Sequence, residues 1–223
     1  MIKALLVDFF GTLVYEDGAV VRRLAETVAE TGDSDDLKGI IGYWWDIFSE
    51  SFHRAHGADF VPQRELEYRA LCETVQHFHS AADARALSEM LFANWMRPPI
   101  FPDSTSFLDA STVPVYIVSN IDRTDIESAI AYHGFTPAGV FTSEDARSYK
   151  PRGEIFRLAL DAAGVAPDEV LHIGDSLESD VQGASSLGIH AVWLNRGGKP
   201  VPAGVTAVGS LMDVYKLPIM NET

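Results

Sequence analysis

The chain has little cysteine, few basic residues and no long apolar run. Its 223 residues include one cysteine, Cys72, which excludes a disulfide within the chain and fits a reducing compartment. Only 17 Lys and Arg residues stand against 32 Asp and Glu, giving a formal net charge of −15. Because affinity for nucleic acid depends on clustered Lys and Arg, this balance argues against binding to DNA or RNA. Any anionic partner must be small and held in a local pocket.

Membrane insertion and secretion are not expected either. No stretch approaches the roughly 18 uninterrupted apolar residues that a spanning helix needs. The N-terminal apolar run is short, is interrupted by Asp8 and has no small-residue cleavage site, so it does not resemble a signal peptide. We therefore expect no membrane partner and a cytoplasmic location.

What is present is the composition of a packed globular protein, with 47% hydrophobic and 22% charged residues. In the C-terminal half, short apolar runs alternate with turns and helix-length amphipathic segments, as in a parallel sheet with helices on both faces. The predicted strands are residues 2–7, 113–118, 139–142, 170–173 and 189–194, and the predicted helices are 123–133, 154–163 and 180–187. This pattern predicts an α/β, Rossmann-like doubly wound sheet, which binds ligands beyond the carboxyl ends of its strands.

A second, helical part is predicted between the first strand and the rest of the sheet. Four segments there have helical periodicity and almost no β-branched runs: residues 20–30, 36–53, 64–78 and 81–96. Three prolines in Arg97–Pro102 favour a linker back to the sheet, since proline cannot continue a helix. We expect a core domain of residues 1–15 and 98–223 and an inserted helical domain of residues 16–97.

Polar residues follow several of the predicted strands. Asp8 follows the first strand, Ser119-Asn120 the second, Lys150-Pro151 comes after the short third one, and Gly174-Asp175-Ser176 follows the fourth. Each of these alone is an ordinary turn or helix cap. Together, at the sheet edge where such folds bind ligands, they indicate an active site.

These residues resemble motifs one to four of the haloacid dehalogenase-like hydrolase superfamily. The segments that carry the resemblance are Asp8–Val14, Ser119-Asn120, Lys150-Pro151 and Gly174–Asp180. The resemblance covers nearly the whole chain and implies a Rossmann-like core with a helical cap domain inserted after the first strand. We expect a small phosphorylated metabolite as substrate and a monomer or homodimer.

The resemblance implies a role for each motif residue. Asp8 would be the nucleophile that forms an aspartyl-phosphate, which water then hydrolyses. Mg²⁺ would be held by Asp8, the backbone carbonyl of Phe10 and Asp175, with Asp180 as a further ligand or as the holder of a metal-bound water. Lys150 would neutralise charge on Asp8 and on the transferred phosphoryl group. The expected substrate-binding residues are Phe9, Gly11, Thr12, Ser119, Asn120 and Lys150.

The sequence departs from the pattern at Phe10. Phosphatases of the superfamily usually carry a second aspartate there as general acid and base, and 2-haloacid dehalogenases carry an aromatic residue and need no metal. Gly174-Asp175 and Asp180 are nevertheless intact, which favours a metal and a phosphoryl substrate. A metal-independent 2-haloacid dehalogenase and a weakly active binding or regulatory protein stay open as alternatives. His53 or His56 could supply the missing proton.

Histidines also occur inside two predicted strands, His172 and His190. We expect both to be packed within the fold rather than to take part in chemistry.

Overall fold

A computed structural model describes residues 1–220 of the chain. In this part the strands are β1 (Ala4–Val7), β2 (Val115–Ser119), β3 (Gly139–Thr142), β4 (Val170–Gly174), β5 (His190–Leu194) and β6 (Thr206–Val208). They form a parallel sheet in the order β3-β2-β1-β4-β5-β6. The predicted α/β Rossmann-like fold is therefore confirmed.

The order of the strands places one edge of the sheet at a topological switch point. β1 lies between β2 and β4, with Leu6 paired to Tyr116 on one side and to His172 on the other. The chain thus leaves the centre of the sheet in both directions, and the carboxyl ends of the three central strands open onto one crevice. The residues that follow these strands are the predicted site residues.

The helices predicted over residues 20–30, 36–53, 64–78, 81–96, 123–133 and 154–163 are present, with small shifts of their ends. They are α1 (Gly18–Thr31), α2 (Leu37–Arg54), α3 (Gln63–His77), α4 (Ala84–Met96), α5 (Ser104–Ala110), α6 (Arg123–His133), α7 (Ser143–Ala146), α8 (Glu154–Ala163) and α9 (Gly183–Ser185). Among residues 1–220, no helix is long and apolar enough to cross a membrane.

The core of the sheet is built from β-branched and large apolar residues on central strands. All four residues of β1 and all five of β4 are buried. α8 packs its apolar face on this layer through Ile155, Phe156 and Ala159, and it ends at Gly164, whose φ of +66° suits glycine. This packing fixes the strand ends that carry the site.

Two expectations about local structure were wrong, and some elements were missed. The segment predicted as a helix over 180–187 is a π-helical turn over Leu177–Gln182 followed by the short α9, because the Ser176 carbonyl accepts from both Asp180 N and Val181 N at 3.1 Å. β6, α5 and α7 were not predicted. His190 is exposed at the start of β5 rather than packed.

The chain divides into two compact units. One comprises residues 1–15, 99–120 and the chain from His133 onward, and the other comprises Glu16–Pro98 with Ile121–Tyr132. The second unit contains α1 to α4 and most of α6. Within it, the Asp122 carboxylate caps α3 by accepting from the backbone N–H groups of Gln63 and Arg64 at 2.8 and 2.9 Å.

Candidate active site

Asp8 and Lys150 form the centre of the candidate site. Asp8 comes directly after β1 and is buried, and its Oδ1 lies 2.7 Å from Lys150 Nζ. The same ammonium donates to Asp180 Oδ1 at 2.6 Å and to the Val118 carbonyl at 3.0 Å. All three N–H bonds of Lys150 are therefore used, and the lysine bridges two carboxylates that lie far apart in the sequence.

Asp180 accepts three hydrogen bonds. Its Oδ1 receives Lys150 Nζ and His172 Nε2, the latter at 3.0 Å, and its Oδ2 receives the backbone N–H of Ser176 at 3.0 Å. The π-helical turn makes this possible, since it brings Asp180 back over the end of β4. Asp180 is consequently a fixed carboxylate beside the strand ends.

Burial and charge act on these three groups in different directions. Burial raises the pKa of the Asp8 carboxyl, and the Lys150 charge opposes that rise only in part. Burial would also raise the pKa of Asp180, but Lys150 and the His172 N–H outweigh it and hold that pKa well below its usual range. For Lys150, burial disfavours the ammonium, yet the two carboxylates raise its pKa above the usual value. Lys150 is therefore charged at neutral pH.

A third carboxylate, Asp175, completes an acidic cluster. One carboxylate oxygen from each of Asp8, Asp175 and Asp180 lies within 4.8 Å of the others. Two glycines make room for the cluster: a Cβ on Gly11 would lie 2.4 Å from Asp175 Oδ2, and one on Gly174 would lie 2.1 Å from Asp180 Cγ. Three carboxylates face one ammonium, so the group has excess negative charge. An all-oxygen donor set of this kind fits Mg²⁺.

The loop after Asp8 is a tight turn in which several backbone N–H groups are hydrogen-bonded within the loop itself. Gly11 has φ +81°, and its N–H donates to the Val14 carbonyl at 2.8 Å. The Phe9 side chain is buried, and its carbonyl accepts from Leu13 N and Val14 N. Thr12 is also buried, and its Oγ1 has no partner among the described residues. The structure brings this loop to the site, while its substrate-binding role stays a prediction.

Phe10 lies in the same loop and is partly exposed. Its ring packs edge-to-face against Phe9 at 5.2 Å. A phenyl ring can neither donate nor accept a proton, so this position offers no acid or base to the site.

Asn120 and Ser119 come from the end of β2. The Asn120 side chain is hydrogen-bonded to the backbone of Lys150 in both directions, at 2.8 and 3.1 Å. Ser119 is buried beside it as the last residue of the strand. Asn120 therefore holds the lysine in place, a contact that sequence reasoning did not predict.

Sequence reasoning also missed two further side chains near the site. His172 was expected only to pack, yet it donates to Asp180. Arg196, in the loop after β5, donates to the Thr12 carbonyl at 3.0 Å and forms a bidentate salt bridge with the Asp103 carboxylate. A polar residue inside an apolar strand was the available signal for His172. No sequence signal marked Arg196, because its hydrogen-bond partners are distant in sequence.

Comparison with known proteins agrees with this geometry. The family described as haloacid dehalogenase-like hydrolase matches residues 2–188. The chain therefore belongs to the haloacid dehalogenase-like hydrolase family and is a hydrolase of that superfamily.

Its similarities to particular proteins point to two chemistries. It is 31% identical over 182 residues to a phosphoserine phosphatase of Thermus thermophilus, covering 77% of this chain and 71% of that protein. It is 25% identical over 205 residues to (S)-2-haloacid dehalogenase 4A of Burkholderia cepacia, covering 89% and 85%. The crystal structure of a dehalogenase has a TM-score of 0.80 at 23% identity, covering 96% of both chains, which shows the shared fold.

Proposed function

We propose that this hydrolase is a phosphatase that acts on a small phosphorylated metabolite through Asp8, with Mg²⁺ bound beside it. The observation that carries the proposal is the cluster of Asp8, Asp175 and Asp180, with carboxylate oxygens within 4.8 Å of one another. Displacement of a halide uses one attacking carboxylate and has no need of a cation-binding cluster. Similarity to a phosphoserine phosphatase supports the same activity.

In the first step, a carboxylate oxygen of Asp8 attacks phosphorus and the bond from phosphorus to the leaving oxygen breaks. The leaving alkoxide takes its proton from water, because Phe10 holds none. Lys150 neutralises the charge that builds up between Asp8 and the phosphoryl oxygens, and Ser119 with nearby backbone N–H groups binds those oxygens.

In the second step, water attacks phosphorus in the aspartyl-phosphate, loses a proton to solvent and releases phosphate. The bond from Asp8 to phosphorus breaks, and the carboxylate is restored. Mg²⁺ held by Asp8, Asp175, Asp180 and the Phe10 carbonyl would neutralise charge on the transferred group. We also propose that residues 16–97 are the family's cap domain and that residues 1–15 and 98–223 are its core.

A 2-haloacid dehalogenase is the second candidate, and the aromatic side chain of Phe10 favours it. In that reaction an Asp8 oxygen attacks the carbon that bears the halogen, and halide leaves without needing a proton. An acid at position 10 would then be unnecessary. The similarity to a haloacid dehalogenase supports this alternative.

One activity panel separates the two candidates. Phosphate release from varied phosphomonoesters and halide release from 2-chloropropionate are measured with Mg²⁺ and with EDTA, using Asp8→Asn as the inactive control. The phosphatase proposal expects Mg²⁺-dependent phosphate release that Asp8→Asn abolishes. Halide release that persists in EDTA contradicts the proposal, and absence of both activities points to a binding protein.

A further inference from the structure

His172 lies in the middle of β4, and none of its surface is exposed. Its strand neighbours Leu171 and Ile173 are buried and apolar, and the Phe156 ring packs edge-to-face against it at 5.0 Å. Burying a polar ring in such surroundings costs free energy unless the ring is hydrogen-bonded. An apolar residue would fill the same space without that cost, so packing alone does not account for histidine here.

The two ring nitrogens have different surroundings. Nε2 lies 3.0 Å from Asp180 Oδ1, whereas Nδ1 is buried and has no partner among the described residues. An ionised carboxylate can only accept, so the proton of this hydrogen bond must lie on Nε2. The geometry therefore places a proton on Nε2, which is donated to Asp180.

This N–H acts on the site through one oxygen atom. Asp180 Oδ1 is the acceptor for His172 Nε2 and also for Lys150 Nζ. Because two donors share the charge of this oxygen, Asp180 attracts the Lys150 ammonium less strongly than it would with one donor. The ammonium can therefore interact more strongly with Asp8 Oδ1, which lies 2.7 Å away. With the His172 donor removed, Asp180 Oδ1 would accept from Lys150 alone and draw it away from Asp8.

We propose that His172 is a positioning residue: its Nε2–H orients the Asp180 carboxylate that holds Lys150 beside Asp8. The kinetic consequence rests on the proposed function, whereas the hydrogen bond and the tautomer are properties of the resting protein. The two can therefore be tested separately.

The first test is NMR of the metal-free protein with ¹⁵N-labelled histidine at pH 7. The expected spectrum shows a proton on His172 Nε2, and His172→Gln assigns the signal. A ring whose only proton lies on Nδ1 overturns the proposal. The measurement is made on the wild type and needs no turnover, and the His172→Gln variant serves only to assign the signal.

The second test compares two amides at the same position. Gln can place its N–H₂ near the position of Nε2, whereas Asn reaches only the position of Nδ1. We expect His172→Gln to keep kcat within about 3-fold and His172→Asn to lower it about 10-fold or more, with KM changed by less than about 3-fold in both. His190→Asn, on the exposed part of β5, is the control and should match the wild type.

The outcomes distinguish a failure of this inference from a failure of the proposed function. Equal kcat values for the Gln and Asn variants, whether both high or both low, mean that the Nε2 donor is not what matters and overturn the proposal. Wild-type protein that hydrolyses no phosphomonoester overturns the phosphatase proposal instead, and the NMR tautomer then decides about His172.

Discussion

Asn120 and Lys150 exchange two hydrogen bonds: Lys150 N donates to Asn120 Oδ1 at 2.8 Å, and Asn120 Nδ2 donates to Lys150 O at 3.1 Å. An amide side chain is suited to this exchange because it offers one acceptor and one donor at fixed spacing. The pair ties the end of β2 to the segment that carries the lysine. Asn120 therefore fixes the backbone of Lys150, and from this fixed backbone the lysine side chain reaches Asp8.

Replacing Asn120 by Asp should impair the site through this exchange. A carboxylate still accepts from Lys150 N, but it cannot donate to Lys150 O and repels that carbonyl. We expect Asn120→Asp to lower kcat about 10-fold or more in steady-state kinetics. Asn195→Asp is a matched control, since Asn195 makes the same double exchange with the backbone of Lys199 in an exposed loop. Equal loss of kcat in both variants would show that the change acts through general destabilisation.

We expect the acidic cluster to need Asp175 in order to bind a divalent cation. A cation that binds the folded state stabilises it, by about 2.7 kcal/mol at a concentration 100 times its Kd. We expect Mg²⁺ to raise the Tm of the wild type and of Glu178→Gln, but not that of Asp175→Asn. Glu178 is an exposed carboxylate in the neighbouring π-helical turn. Thermal melts in Mg²⁺ and in EDTA measure this directly. If Mg²⁺ leaves the wild-type Tm unchanged, the cluster is not a magnesium site under these conditions.

Most of the sheet could be predicted because its buried strands are continuous apolar runs bounded by turn residues. β4 is such a run, and its end at Gly174 could be placed within one residue. β6 could not, since Thr206–Val208 is three residues long and is recognisable only by its pairing with β5. The π-helical turn was missed for a related reason. Its 3.1 Å hydrogen bonds from Asp180 N and Val181 N to one carbonyl have no sequence signature.

In the candidate site too, some features could be predicted from the sequence and others could not. Asp8, Lys150 and Asp175 could be placed at one edge of the sheet from motif order alone, because parallel strands bring their carboxyl ends together. The contacts that orient them could not, since the bonds of Asn120 and His172 depend on side-chain directions at distant positions. Sequence spacing therefore finds the candidate reacting groups, and the fold determines which groups hold them.

Glu67 on α3 should make stability depend on pH near neutrality. Its carboxyl is fully buried, and neither oxygen has a hydrogen-bond partner among the described residues. Ser88 and Trp44 face it without reaching hydrogen-bond geometry, and the negative charge of Asp17 lies nearby. Burial raises the pKa of Glu67 from 4.5 to about 7.

Because the folded-state pKa is the higher one, the folded state binds this proton more tightly than the unfolded state. The stabilisation is complete below pH 4.5 and is lost as the pH rises through about 7, by about 3 kcal/mol in all. We expect Glu67→Gln to remove this loss between pH 5 and 8.5 in urea denaturation followed by tryptophan fluorescence. Glu65→Gln, whose carboxylate is exposed and paired with Arg69, should keep the wild-type dependence. A wild-type stability that does not fall over this range would mean that Glu67 is ionised at neutral pH.

Phe10 should make the rate depend strongly on the leaving group. With no acid at this position, the breaking bond must rely on the stability of the departing oxygen anion. Aryl and acyl phosphates should therefore react much faster than alkyl phosphates, and a plot of log kcat/KM against leaving-group pKa should be steep. Positioned acid catalysis typically contributes about 10²–10⁴-fold, which is the size of the gap to be expected.

Installing the acid tests this explanation within the same protein. Phe10→Asp should flatten the plot and speed alkyl substrates by about 10-fold or more, less than the full effect because the pocket was not built around a carboxyl group. Phe10→Asn is the matched control, since it has the same shape as Asp but no proton to donate, and its plot should stay steep. A shallow plot in the wild type would mean that another acid is present. The histidines of the helical unit, His53 and His56, would then be the groups to replace, and whichever replacement restores a steep plot identifies the donor.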